Sequence, residues 1–312
     1  MGEFDLIRRY FQRLPASGVE VGVGDDCAVL VPTPGARWLV SSDMLVEGRH
    51  FLSTVDPARL GHKALAVNLS DLAACGATPR GFTLALALPR VDDAWLAGFA
   101  RGLWGLADAS GCPLVGGDTT QGPLNLCITV FGEAPPGQAL LRSGARVGDE
   151  VWVSGRLGDA RLALEVFRGT VALEGAGFDS VRAAMECPTP RLALGQALRG
   201  IATAAVDVSD GLLGDLGHIL AASGVGARLD VDALPRSAVL AAQPAVMQHQ
   251  CLLAGGDDYE LVFTAPPGAS LPDVGVALTR IGRIEAQPGL RVVDGGGTAV
   301  EHGLRSFDHF KS

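Results

Sequence analysis

Lysine is almost absent from this chain: Lys63 and Lys311 are the only two among 312 residues. No G-x-x-x-x-G-K-[ST] run occurs and no G-x-G-x-x-G opens a helix after a strand, which excludes the two common glycine-loop modes of nucleotide binding. A phosphate-handling protein so poor in lysine must rely on arginine, backbone N–H groups or metal. Clustered basic residues are missing and the formal charge is −9, against nucleic acid and membrane surfaces as partners. No apolar stretch approaches the ~18 residues of a membrane span. Residues Met1–Arg9 carry acids early and lack an apolar signal core, so a cytoplasmic address is expected. The six cysteines are scattered and never form C-x-x-C, and are expected to be reduced core thiols without disulfide or zinc roles.

What is present is a repeated pattern: an apolar run, then glycine or serine, then aspartate. It occurs at Val23-Gly24-Asp25-Asp26, Val40-Ser41-Ser42-Asp43, Leu69-Ser70-Asp71, Val115-Gly116-Gly117-Asp118, Val206-Asp207-Val208-Ser209-Asp210 and Ala254-Gly255-Gly256-Asp257-Asp258. Apolar runs bounded by small residues read as buried elements, so each carboxylate is expected to emerge where a core element reaches a cleft. If several converge, their repulsion is tolerable only with bound cations. All-oxygen ligands favour magnesium, manganese or calcium over zinc. Each piece alone is also an ordinary turn dipeptide.

With 48% hydrophobic and 19% charged residues, the chain is a folded globular protein of two domains or one large one. Phe4, Ile7, Tyr10, Phe11 and Leu14 form one helical stripe over 3–14. Short strands are expected around 28–31 and 38–40. Asp56-Pro57 then opens a helix that delivers Asn68 and Asp71 on one face. A strand over 82–88, a helix capped by Asp92 or Asp93, and strands over 113–115 and 124–131 complete a sheet. Gly132–Gly137 reads as a linker, dividing the chain into domains 1–137 and 138–312. The second half again interleaves strands (150–153, 204–208, 227–231, 259–263, 290–293) with helices (160–167, 190–198, 212–222), giving an α+β class of mixed architecture.

These motifs, with His50-Phe51, Arg142-Ser143-Gly144-Ala145, Asp210-Gly211-Leu212 and Tyr259-Glu260, resemble the thiamine-monophosphate kinase family in order, from Gly2-Glu3-Phe4 to Phe307-Asp308-His309-Phe310. The resemblance implies a two-domain aminoimidazole-ribonucleotide-synthetase-like fold: an N-terminal ATP- and metal-binding, dimerising domain with a mixed sheet, and a C-terminal α/β domain completing the nucleotide and substrate site. It implies ATP-dependent conversion of thiamine phosphate to thiamine diphosphate, the last step in making that cofactor, by direct in-line transfer in a homodimer with several Mg2+ ions. By position, Asp26, Ser41, Ser42, Asp43, Asp71, Asp118, Asp207 and Asp210 match the metal ligands, with Asp43, Asp71, Asp118 and Asp210 as the catalytic set. Gly117, Asp118, Arg142 and Ser209 match the ATP contacts, and His50, Asp257 and Phe307 the thiamine-phosphate contacts. Asp257 stands where glutamate is usual, and Phe307 where tyrosine or tryptophan often sits.

The chemistry read from the residues agrees. A phosphate monoester has a second pKa of ~6 and is an ionised nucleophile near neutrality, so no general base is needed. The task is to align two polyanions and cancel their repulsion. Each residue also has a plainer reading: Asp71 as a solvated helical acid, Ser209 or Asp210 as a helix cap that is compatible with phosphate at the same helix N-terminus, His50 as a loop histidine, Gly155–Asp159 as a strand-to-helix turn. The alternatives are a related synthetase of the same superfamily, or a non-catalytic ion- or nucleotide-binding module. Selenophosphate synthetase needs a reactive cysteine in its N-terminal loop, and none precedes Cys27. The hydrogenase-maturation dehydratase ends in a working cysteine, whereas this chain ends His309-Phe310-Lys311-Ser312.

Overall fold

A computed structural model describes residues 2–301 and 303–307; His302 and the motif residues beyond Phe307 lie outside them. The chain divides into two compact units, one comprising Met1–Leu72 and Ala77–Gly137, the other Ala73–Gly76 and Gln138–Ser312.

In the N-terminal unit the order is α1 (Glu3–Leu6), a π-helical turn (Ile7–Phe11), β1 (Val19–Val21), β2 (Val29–Leu30), β3 (Arg37–Val46), α2 (Pro57–Ala74), β4 (Thr78–Leu88), α3 (Asp93–Ser110), β5 (Leu114–Gln121) and β6 (Asn125–Ala134). β3, β6, β4 and β5 form one sheet in that order, with only β4 and β5 parallel. The strands alternate: Leu126, Ile128, Val130, Phe82, Leu84 and Leu86 are buried on one face, while Trp38, Val40 and Met44 are exposed on the other. Asp56 Oδ1 accepts from the N–H groups of Ala58 and Arg59, and Asp92 caps α3 through Trp95 N–H.

α2 and α3 cross through glycine. A Cβ on Gly61 would lie 2.1 Å from Phe99 O, and one on Gly102 would lie 1.7 Å from Ala58 O. Only bare Cα atoms allow this backbone approach, which holds α2 in place.

The expected N-terminal helix is shorter and differently wound. It turns π-helical at Ile7 and ends at Phe11, so Leu6, Tyr10 and Phe11 are buried while Phe4 and Leu14 are exposed. A π turn takes more residues than an α turn, so a 3.6-residue stripe drifts off the core. The strand expected at 38–40 runs on to Val46, so Asp43 sits within a strand, as does Asp118 in β5. Carboxylates at element ends describe Asp207 but not these two, and Asp257 lies in a loop. Cys27 is exposed and so is not a core thiol, while Cys112 and Cys251 are buried.

The C-terminal unit runs β7 (Glu150–Ser154), α4 (Asp159–Phe167), α5 (Gly175–Glu186), α6 (Leu192–Ala197), β8 (Ala204–Asp207), α7 (Leu212–Ser223), β9 (Gly226–Asp230), α8 (Ala238–Ala241), α9 (Ala245–Ala254), β10 (Leu261–Ala265), β11 (Leu278–Glu285) and β12 (Gly289–Val293). Its six strands are ordered β12-β9-β11-β7-β10-β8, antiparallel except for β12 with β9. Both faces are covered: Val151, Val153, Val206 and Val262 join one apolar core, Ala205, Leu261 and Phe263 the other. Strands buried on both sides read as continuous apolar runs, which is why β8 and β10 were legible. α5, α8, α9 and β11 were not expected. No helix among the described residues is long and apolar enough to cross a membrane.

Gly158 N–H at the start of α4 donates to both carboxylate oxygens of Asp258 (3.0 and 2.9 Å). The turn at 155–159 is therefore a strand-to-helix connection whose hydrogen-bond acceptor is the chain's own carboxyl. Burial pushes the Asp258 carboxyl well above the usual carboxylate range, and that of Asp159 upward too.

Gly102→Ala is expected to lower the melting temperature, because a backbone clash of about 2 kcal/mol or more outweighs alanine's helix preference of about 1 kcal/mol. The Asp258 carboxyl holds its proton in the folded state after the unfolded chain has lost it. It therefore costs stability as pH rises above about 4. Asp258→Asn, which keeps one acceptor for Gly158, should raise the melting temperature more at pH 8 than at pH 5.

Candidate functional site

In the N-terminal unit the edge strand β3 and helix α2 build one acidic corner. Alternation turns Ser41, Asp43 and Leu45 toward α2. There the Ser41 hydroxyl donates to Asp71 Oδ2 (2.5 Å), and Asn68 Oδ1 accepts from Asp43 N–H (3.0 Å). Asn68 and Asp71, three apart on the helix, thus meet Asp43 and Ser41, two apart on the strand. Asp71 is an engaged residue and not merely a solvated helical acid. Every donor at this corner is oxygen, the set suited to a hard divalent cation.

Ser42 and Asp118 stand on the opposite face. The Ser42 hydroxyl donates to Ile128 O (3.1 Å) and pairs with Thr129 Oγ1 (3.0 Å). Asp118 lies in register with Ala85, Cys127 and Met44, whereas Asp43 shares its row with Ile128, Leu84 and Gly117. Two strands intervene between β3 and β5, so Asp43 and Asp118 of one chain are about 14 Å apart on opposite faces. Gly117 has φ 146°, and a Cβ there would meet Leu84 O at 1.9 Å; glycine is required for the β4–β5 approach itself. Asp26 is exposed in the loop before β2, its N–H donating to Asp25 Oδ1 (2.7 Å). His50 closes the turn after β3, its Nδ1 accepting from Val46 N–H (3.0 Å), which leaves the ring proton on Nε2. Among the described residues no three His, Cys, Asp or Glu side chains close around a common metal position.

In the C-terminal unit one loop, 207–211 between β8 and α7, gathers residues distant in sequence. Asp207 ends β8 and is buried. Asp257 N–H donates to Ser209 O (2.8 Å), Tyr259 N–H to Val208 O (2.8 Å), and Phe307 N–H to Asp210 O (3.0 Å). Asp207, Ser209, Asp210, Asp257 and Phe307 are therefore joined through the main chain. Asp257 and Tyr259 hold φ of 66° and 51°, the only positive values outside glycine among the described residues. Side chains rarely sit there, and such backbone persists only where its surroundings enforce it. The Tyr259 hydroxyl donates to Asp257 Oδ1 (3.0 Å), holding the shorter carboxylate. Next to it, buried Glu260 accepts from the Ser154 hydroxyl (2.5 Å) and from Arg191 Nε (2.7 Å).

The loop's own support is Asp215, which pattern reading missed. Its Oδ2 accepts from three successive N–H groups, those of Ser209 (3.1 Å), Asp210 (3.1 Å) and Gly211 (2.9 Å). Burial, with the nearby Asp210 charge, pushes its carboxyl up to about 7. The N-cap of α7 is Gly211, with no side chain to cap, so Ser209 and Asp210 are not the caps. The N–H groups leading into this helix are engaged by Asp215. An acid in the first turn of a predicted helix was the available signal.

Arg142 stands apart. It is exposed, and its carbonyl accepts from Ser223 Oγ (3.3 Å) at the far end of α7. The length of α7 places its main chain about 16 Å from Ser209.

Two family models match the chain, "AIR synthase related protein, N-terminal domain" over residues 24–134 and "AIR synthase related protein, C-terminal domain" over 146–295. The thiamine-monophosphate kinase of Salmonella typhimurium is 47% identical over 327 residues, covering 99% of this chain and 98% of that one. The crystal structure of thiamine-monophosphate kinase from Stenotrophomonas maltophilia superimposes with TM-score 0.84 at 44% identity, covering 91% and 93%. A structure described as AaThiL complexed with AMPPCP and TMP gives TM-score 0.80 at 30% identity, covering 90% and 89%. With near-complete coverage on both sides and both domains in order, the chain belongs to the thiamine-monophosphate kinase family.

Proposed function

We propose that this protein transfers the terminal phosphoryl group of ATP to thiamine phosphate, forming thiamine diphosphate and ADP. The observation that carries the reading is the 207–211 loop, whose backbone bonds tie residues matched to ATP and metal (Asp207, Ser209, Asp210) to residues matched to thiamine phosphate (Asp257, Phe307). The AaThiL neighbour with AMPPCP and TMP supports the substrate pair.

A phosphate oxygen of thiamine phosphate, ionised above a pKa of ~6, attacks the terminal phosphorus of ATP, and the bond to the bridging oxygen of ADP breaks. The residues here orient and neutralise; none needs to take a proton. Arg142 and Ser209 are the proposed nucleotide contacts, together with Gly117 and Asp118. His50, with its proton on Nε2, is a donor to an anionic substrate oxygen. The oxygen donors Asp26, Ser41, Ser42, Asp43, Asp71, Asp118, Asp207 and Asp210 fit Mg2+, which retains waters and phosphate oxygens and needs no closed protein cage. When bound, the ions would offset the charge of the phosphate groups and align them.

The homodimer belongs to the same proposal. Trp38, Val40, Met44 and Val46 are 41%, 60%, 54% and 37% exposed on one sheet face, an apolar surface of the kind a second copy covers. Asp118 stands on that face, so a dimer formed there places it at the contact between copies. A cytoplasmic location is proposed with it, in keeping with six scattered cysteines that never form C-x-x-C.

ADP release should require both a magnesium salt and thiamine phosphate, with little turnover on thiamine or thiamine diphosphate; release indifferent to thiamine phosphate would refute the assignment. Asp43→Asn and Asp118→Asn should each lower kcat at least about a hundredfold with the melting temperature nearly unchanged, since ligand charge is lost and not core volume. Val40→Glu should shift the sedimentation coefficient toward a monomer and reduce turnover with it.

A further inference from the structure

The start of α7 is unusual among capped helices. Its N-cap is Gly211, φ 118°, which offers no side-chain acceptor. The acceptor comes instead from the other end of the chain. Gly214 N–H, the third in the helix, donates to Ser306 Oγ (2.7 Å), and the Ser306 hydroxyl donates back to Gly211 O (3.2 Å). That is the geometry of a serine N-cap, supplied across 92 residues and not by the residue before the helix. The next residue continues the attachment, since Phe307 N–H donates to Asp210 O (3.0 Å). Upstream, Leu304 and Val300 pack on the apolar core beside α7.

The seat for Ser306 is shaped by glycine. A Cβ on Gly214 would lie 2.7 Å from Ser306 Cβ and 2.8 Å from its Oγ, so the serine fits only while position 214 is bare. The loop is thus held on two sides: Asp215 occupies its N–H groups from within, and Ser306 with Phe307 N–H closes it from the C-terminal segment.

We propose that Ser306 is a positioning residue: by capping α7 from the C-terminal segment it locks Phe307 in register with Ser209 and Asp210, so that the thiamine-phosphate contact and the nucleotide loop form one rigid piece. This rests on the kinase reading above. Ser306 bonds to backbone, at Gly214 and Gly211, and is assigned no contact with either substrate. Its effect should therefore fall on the substrate that Phe307 meets.

The test uses the full chain and two variants that break the cap from opposite sides. Ser306→Ala removes the acceptor; Gly214→Ala evicts it while installing a better helix former. Both are expected to raise KM for thiamine phosphate about fivefold, the worth of one hydrogen bond. KM for ATP, kcat and the melting temperature should stay close to the parent values. Hydrogen exchange should quicken at the Gly214 and Phe307 amides in Ser306→Ala. An unchanged KM for thiamine phosphate in both variants overturns the inference, as does a joint loss of kcat, ATP binding and thermal stability, the mark of a merely structural cap. The exchange measurement reads the clamp without turnover. Unchanged exchange therefore defeats the inference alone, whereas a parent protein inactive on thiamine phosphate defeats the kinase reading.

Discussion

A buried carboxyl receiving three consecutive backbone N–H groups is the interaction on which the candidate site of the C-terminal unit depends. Asp215 binds the segment between β8 and α7 at the N–H groups of Ser209, Asp210 and Gly211, holding it from inside the helix it precedes. A helix N-terminus ordinarily attracts an anion, and in many nucleotide sites that anion is the ligand's phosphate. Here the protein's own buried carboxyl takes the N–H groups. The N–H groups leading into α7 are thereby engaged within the protein, in a chain with two lysines and many aspartates. Asp258 at the start of α4 repeats the device.

The strained backbone around that loop has a comparable logic. Asp257 and Tyr259 occupy the left-handed region without being glycine, and they are kept there by bonds to Val208 and Ser209 on one side and by the Glu260–Arg191–Ser154 cluster on the other. The strain gives Asp257 a fixed direction that free rotation would not. The Tyr259 hydroxyl braces that acid further.

In the N-terminal unit, position is set by helix-to-sheet packing. The glycine crossing of α2 and α3 fixes α2 closely enough for Asn68 and Asp71 to reach the strand carrying Asp43 and Ser41. The same sheet separates Asp118 from that corner by face and by two strands, and leaves an apolar face uncovered. A chemically uniform set of aspartates thus resolves into groups with different surroundings.

Much of this was legible in the amino-acid order. Apolar period and cap residues located α2, α3, α7 and the paired strands, because burial and capping are local consequences of side-chain type. The small-residue–aspartate motifs, in order, pointed to the family and to the residues that carry charge. Short helices such as α8, the polar strand β11 and the π turn at Ile7 were hidden, since tertiary packing and not local preference stabilises them. What the chain by itself determined was which groups carry the chemistry and which segments form elements. What only the tertiary structure decided was their company: that Asp215 fills the helix terminus, that Ser306 caps a helix 92 residues away, and that Asp43 and Asp118 point to opposite faces. Those outcomes depend on strand register and on contacts between remote segments, and neither is encoded within any window of neighbouring residues.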